Sequence, residues 1–385
     1  MMLIITVNSD YLYGHMMSEN SSFGKEVQTK VHAYFKAHQL SEHANGAAYF
    51  RVFTLLGLFF GIYFTIMFGG ISLMASFFLC ILMGVVVAGT GFSVGHDANH
   101  GSFSNKAWVN HLLGFSFELV GANSYMWKIT HNTIHHTYTN IYPLDDDLDS
   151  TPLLRMSPYA AYKPFHRFQH WYAIPAYSLA TFVWALSKDF VYFSKKDLGP
   201  FKNKKHPKKE VVLLFVYKAF YYFFFIALPL MILPITFGQF MMGYLAMHFT
   251  AGIILGVTFQ LAHLVQETSH VLPNEKGNFP DGWAVHQMHT TANFDCTNKL
   301  LTFYVGGLNF QIEHHLFPRV CSIHYPAIRP IVMEVAKKYG VPYHENPTFI
   351  SAVRSHVRTL KLLSRPPVSM PTQSPIEGNA IAAGA

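Results

Sequence analysis

Gln311-Ile312-Glu313-His314-His315 is the stretch on which the fold of this chain turns. Two earlier stretches carry the same kind of residue: His96-Asp97-Ala98-Asn99-His100 and His131-Asn132-Thr133-Ile134-His135-His136. His96 and His100 are four positions apart, so on a helix they stand on one face, one turn from each other. His131 and His135 repeat that spacing, and His136 is turned about 100° away from its neighbour. Seven imidazoles exceed what one metal ion uses, whereas two ions sharing a site would use them. Imidazole suits iron, copper, nickel and zinc. No Glu-x-x-His pair recurs of the kind found in soluble di-iron carboxylate bundles. The fold expected is one that gathers three distant segments around a pair of ions.

The composition says where that gathering happens. The chain of 385 residues is 51% hydrophobic and 13% charged, against about 25% charged in an average soluble domain. A net charge of +7 raises nucleic acid as a partner, but the basic residues cluster beside apolar spans, which argues against it. Cys80, Cys296 and Cys321 form no CxxC pair, so a disulfide scaffold, a zinc ribbon and an iron–sulfur cluster are unsupported.

Four apolar runs approach the ~20 residues that cross a bilayer: 52–68, 71–94, 211–237 and 240–265. Gly69-Gly70 separates the first two and Gly238-Gln239 the last two, which predicts two helical hairpins. Lys218 lies near the start of the third run and is expected to snorkel toward the headgroups. The run 172–186 reads as interfacial, anchored by Trp171 and Trp184. With four spans, both termini, the loop 95–210 and the tail after Gln266 share one side. Lys195, Lys196, Lys202, Lys204, Lys205, Lys208 and Lys209 lie in that loop and the opposite turns are uncharged. The positive-inside rule puts this side, with all three histidine stretches, in the cytoplasm.

The fold class expected is therefore all-α and integral to the membrane: four transmembrane helices in two hairpins, with a helical cytoplasmic cap carrying a histidine-ligated di-metal site. Residues 1–22 read as a flexible extension, 23–364 as the membrane domain, and 365–385, rich in Pro, Ser, Gly and Ala, as a disordered tail. Val27, Val31 and Phe35 mark an amphipathic helix, read as lying on the membrane surface or, equally, as an ordinary soluble amphipathic helix. The segments 325–339 and 348–363 read as cap helices, the first ended by Gly340.

His263, near the cytoplasmic end of the fourth run, is an eighth candidate ligand. His166 with His170, and His286 with His289, repeat short spacings but read as structural, and His248 as a polar contact inside the bundle. Ligand imidazoles usually donate their second N–H to an acceptor. Asp97, Asp145, Asp149 and Glu313 are candidates, as are Asp146 and Asp147 of the acidic run 145–149. Trp127 is a candidate wall for a substrate tunnel.

HDANH followed by Gly101-Ser102, HNTIHHTYTN and QIEHHLFP resemble the three histidine boxes of the membrane fatty-acid desaturases. Gln311 at the head of the third box resembles the front-end subgroup, which places a cis double bond between an existing one and the carboxyl end. The stretches 281–294 and 306–309 look like bacterial and cyanobacterial members. The resemblance implies two iron ions as cofactor, O2 as co-substrate, two electrons from a carrier protein, and an acyl-lipid or acyl-CoA substrate in a Δ6- or Δ5-type reaction. By position, the ligands it implies are His96, His100, His131, His135, His136, His314 and His315, with His263 from the fourth span. Gln311 stands where other desaturases place a histidine, so it binds a metal through its amide oxygen, through water, or not at all. His206-Pro207 is followed by Lys208-Lys209 and no stretch matches the His-Pro-Gly-Gly of a fused cytochrome b5. A separate donor is expected, ferredoxin or cytochrome b5, docked on the lysine-rich loop.

The alternatives are a di-iron lipid hydroxylase on the same fold and, from another class, a histidine-rich zinc transporter or receptor. A transporter tends to place ionisable residues near the membrane midplane, whereas these clusters are read as lying outside the spans.

Overall fold

The computed structural model describes residues 22–148, 151–270 and 282–366. The extension 1–21, Asp149 and the tail from 367 onward lie outside the described residues. The fold is helical, with one parallel pair of two-residue strands, β1 (Asn293–Phe294) and β2 (Glu345–Asn346).

The helices that position the site are, in chain order, α1 (Ser22–Ala37), α2 (Gly46–Phe68), α3 (Leu73–Asn99) and α4 (124–138). There follow α5 (Gln169–Tyr177), α6 (Lys208–Ile232), α7 (Phe237–His263) and α8 (Trp283–Thr290). The chain closes with α9 (Gln311–Leu316), α10 (Tyr325–Tyr339) and α11 (Phe349–Leu363). Among them α2, α3, α6 and α7 are long and apolar enough to cross a membrane, which makes this an integral membrane protein. On α2 the aromatic rings of Phe50, Phe53, Phe64 and Phe68 point outward, while Val52, Leu55, Phe59 and Ile62 are buried. An exposed stripe of phenylalanine suits hydrocarbon.

The spans begin and end where capping decides. Thr236 caps α7 in a reciprocal box with Gln239, because its hydroxyl and the glutamine amide satisfy two otherwise orphaned N–H groups. Gly238 and Gln239, expected to be the turn, therefore lie in the first turn of the helix. Ser72 caps α3, and α3 runs on past the apolar stretch to Asn99. His96 is thus carried by the last turn of a spanning helix. α3 packs closely on α7: a Cβ at Gly84 would come within 2.4 Å of the Met247 carbonyl oxygen. Only glycine allows this approach of backbones.

Two expectations are corrected. Lys218 does not snorkel: it is 3% exposed, paired with Asp189 at 2.8 Å, and donates to the carbonyls of Gly121, Trp184 and Ala185. A buried ammonium needs such partners, and here they pin the 180–194 segment to α6. α1 does not lay its apolar face on a membrane surface. Phe23, Val27, Val31 and Phe35 are buried against α8 and α10 in one cluster with Met288, Ile328 and Val332. The helices read over 325–339 and 348–363 match in extent. α10 ends at Gly340 with φ +66°, a left-handed residue that suits glycine, and α11 starts on Thr348 as N-cap.

Candidate metal centre

The histidines of all three stretches converge, and His263 joins them. Their ring nitrogens fall into groups whose ligand atoms lie within 4.8 Å of one another. His96, His100, His131 and His314 make one group. His135, His263 and His315 make another. His136 forms a third with His314 and His315, and so stands between the first two. α3, α4, α7 and α9 each contribute. His131 and His135, four positions apart, lie side by side with ring centroids 5.0 Å apart, yet each joins a different group. α4 is wound more widely there than an α-helix: the N–H of His136 bonds the carbonyl of His131, five residues back. Turns of this width are common at functional sites.

The outward nitrogens are tied down. Nδ1 of His131 donates to Asp147 at 3.0 Å and Nδ1 of His135 to Asp145 at 3.0 Å. Nδ1 of His315 donates to the Gln287 amide oxygen at 2.7 Å, that of His314 to the Tyr325 hydroxyl at 3.2 Å, and that of His263 to the Thr290 carbonyl at 3.3 Å. With Nδ1 donating, the Nε2 lone pair turns inward. Nε2 of His100, His131, His135, His314 and His315, Nδ1 of His96 and both ring nitrogens of His136 are buried with no hydrogen-bond partner. Buried polar atoms are nearly always paired, and so many orphans facing one another is the arrangement a metal completes. Burial holds His100, His131, His136, His314 and His315 well below the usual histidine range, so they are neutral, as ligands must be. His135 differs. Burial lowers it, but Asp145 and Asp147 outweigh that and its net shift is upward.

The remaining candidates divide. Asp145 does back an imidazole, but its companion is Asp147, and Asp149 lies outside the described residues. The Asp97 carboxylate stands 3.9 Å from His96 Nδ1, beyond hydrogen-bond range. It pairs instead with Arg51 at 3.2 Å and accepts from the Ser322 hydroxyl at 2.6 Å. Glu313 accepts from Asn293 and Tyr343 and touches no ring of the cluster, and burial pushes it up to about 7. Gln311 does reach the site: its amide nitrogen is 3.2 Å from Nε2 of His263. Trp127 stacks on His131 with centroids 4.4 Å apart and meets His96 and His100 edge-on at 5.5 and 5.3 Å. It is therefore a wall of the cluster.

Three histidines outside the cluster have partners in the surrounding fold. His166 bonds the Pro152 carbonyl, His286 the Thr139 carbonyl, and His248 meets Tyr221 and Thr181 inside the bundle. Gln287, Thr290, Tyr325 and Arg51 were not singled out from the sequence.

Residues 72–347 match the family model described as fatty acid desaturase. The "sn-1 linoleoyl-lipid 6-desaturase" of Arthrospira platensis is 34% identical over 89% of this chain and 92% of its own. The protein of the same description from Synechocystis is 31% identical over 90% and 97%. The "Acyl-lipid (8-3)-desaturase" of Physcomitrium patens is 34% identical over 89% of this chain and 72% of its own.

Proposed function

The chain belongs to the fatty acid desaturase family, and from that membership we propose a front-end enzyme in which eight histidines hold two iron ions. It is an oxygen-dependent oxidoreductase. One ion would take His96, His100, His131 and His314, the other His135, His263 and His315, with His136 between them. The observation that carries this reading is the convergence of buried ring nitrogens without partners.

A methylene inside an acyl chain is neither acidic nor electrophilic, so no placed side chain removes its hydrogen by general base catalysis. Bound here, the iron pair supplies the oxygen chemistry that takes one hydrogen from each of two neighbouring carbons. The balance is R–CH2–CH2–R′ + O2 + 2 electrons + 2 H⁺ → R–CH=CH–R′ + 2 H2O. The protein's own task is placement. Asp145, Asp147, Gln287, Tyr325 and the Thr290 carbonyl fix the rings. Trp127 bounds the space beside them, so that one carbon pair is held against the centre.

Gln311, set against His263, and relatives described as 6- and 8-3-desaturases of acyl lipids support a double bond near the carboxyl end of a glycerolipid-borne chain. Residues 23–364 act as one domain. The lysines of 195–209, against uncharged turns opposite, support a cytoplasmic position for the termini and the metal centre. Electrons come from a separate carrier.

Expression in a host poor in desaturases, with the new double bonds located in its lipids, tests the reaction. Metal analysis of the purified chain tests the site. The expected results are a cis bond on the carboxyl side of an existing one and about two irons per chain. A hydroxylated product, or zinc alone, would overturn the reading.

A further inference from the structure

The reaction above consumes two electrons per turnover, so on the desaturase reading a reductant must supply them. The basic segment 195–209 lies where that reductant would be served. Leu198 and Phe201 bond each other's backbone at 2.9 Å and pack with Met126, Ile129 and Ile134 on the outer face of α4. The contact is tight: a Cβ at Gly199 would come within 3.0 Å of both Ile134 and the Leu144 carbonyl. The inner face of the same helix bears His131 and His135. The segment is thus one helix thickness, roughly 10 Å, from the cluster.

It is also tied to the acidic turn whose Asp145 and Asp147 stand behind those rings. Lys195 pairs with Asp146 at 3.6 Å, and Lys188, just before the segment, approaches Asp147 at 4.0 Å. Asp147 in turn accepts from His131. Outward, Lys196, Lys202, Lys205, Lys208 and Lys209 are exposed, and Asp197, bonded to Lys202, is the one acidic residue among 195–209. A surface of one sign steers a partner of the opposite sign.

We infer that segment 195–209 is the docking surface for an acidic one-electron carrier protein, with the outer face of α4 as the shortest way to the metal centre. This rests on the desaturase reading above. Solvation and lipid headgroups also account for surface lysines. They do not account for a basic segment strapped over the histidine-bearing helix and tied, through Lys195 and Asp146, to the turn that holds the ring-backing carboxylates.

The test follows reduction of the iron-loaded full-length enzyme, using a reduced plant-type ferredoxin as acidic probe and dithionite as a small chemical reductant. In K196E/K202E/K205E/K209E the ferredoxin rate should fall about tenfold or more at low salt, with the dithionite rate unchanged. The matching Lys→Arg variant should keep the wild-type rate. In the wild-type enzyme the ferredoxin rate should drop steeply with added salt, a measurement that needs no variant. Equal ferredoxin rates in wild type and charge-reversed enzyme, or no salt dependence, would overturn the proposal. So would a variant that loses only binding to anionic vesicles, which would assign the lysines to lipid. Iron that dithionite itself fails to reduce would remove the desaturase reading, and this proposal with it.

Discussion

Asp145 and Asp147 stand two positions apart in one turn, yet they receive hydrogen bonds from imidazoles of different groups, His135 and His131, each at 3.0 Å. The group of His131 and the group of His135 thus each contain one ring backed by a carboxylate. His314, His315 and His263 are backed by neutral acceptors: a tyrosine hydroxyl, an amide and a backbone carbonyl. The backbone N–H of Asp147 also bonds Asp145, so the turn that fixes one carboxylate fixes the other.

Asp147→Asn should therefore weaken iron at the His131 group and Asp145→Asn at the His135 group, each by about 10- to 100-fold. Asparagine keeps the shape and the acceptor but not the charge. Chelator competition on the purified protein reads the result. Each variant should lose one class of iron and retain the other, and loss of the same class in both would contradict the division into groups.

His135→Ala should abolish desaturation while leaving the protein in the membrane fraction, because the ring lies in the cluster and not in the packing between spans. New double bonds in the host's lipids are the readout. Retained activity would remove His135 from the site.

What the sequence made legible, and what it hid, follows from range. The apolar runs announce the spans because each is a local property of about 20 residues. The histidine pairs announce themselves by short spacing. Gly340 and Thr348 mark helix ends because capping is local too. By contrast Gln287, Thr290 and Tyr325 are single polar residues whose partners are distant in sequence, and such pairs leave no periodic trace. Lys218 misled for the same reason, since Asp189 is 29 positions away. The face of α1 misled differently: its period shows that Val27 and Val31 are covered, but not whether lipid or protein covers them. α3 outran its apolar stretch because hydropathy follows side chains, whereas the helix follows backbone hydrogen bonds.

Arg51 and Asp97, each 1% exposed, couple α2 to the His96 turn, and Ser322 joins them to the turn just beyond the third histidine stretch. Removing one partner strands a charge in a dry interior. Arg51→Met should cost about 3–5 kcal/mol and should lower iron content by loosening His96. Arg51→Met/Asp97→Asn should recover much of the stability, since no net charge is then buried. Thermal unfolding in detergent, for the single and double variants, measures the coupling. Additive losses would mean that the pair is not a unit.

His356 gives the fold a pH dependence away from the metal site. Its Nδ1 donates to the Leu264 carbonyl at 2.8 Å, so its Nε2 accepts from the Tyr177 hydroxyl at 3.0 Å. That arrangement needs the neutral ring, and burial brings it down to about 4. An unfolded chain protonates the same ring near 6.5. Between those values the unfolded state binds the extra proton, so stability falls as pH falls, by up to about 1.4 kcal/mol per pH unit for this one group. The contribution is fully present above about 6.5 and is lost as pH drops through the folded value. Melting temperatures should therefore decline from neutral pH toward 4, and less steeply in His356→Gln, whose amide can serve both partners without titrating. His286 is held down to about 4 in the same way, so a residual slope should remain. An identical slope in wild type and variant would mean that His356 already shares its proton with solvent.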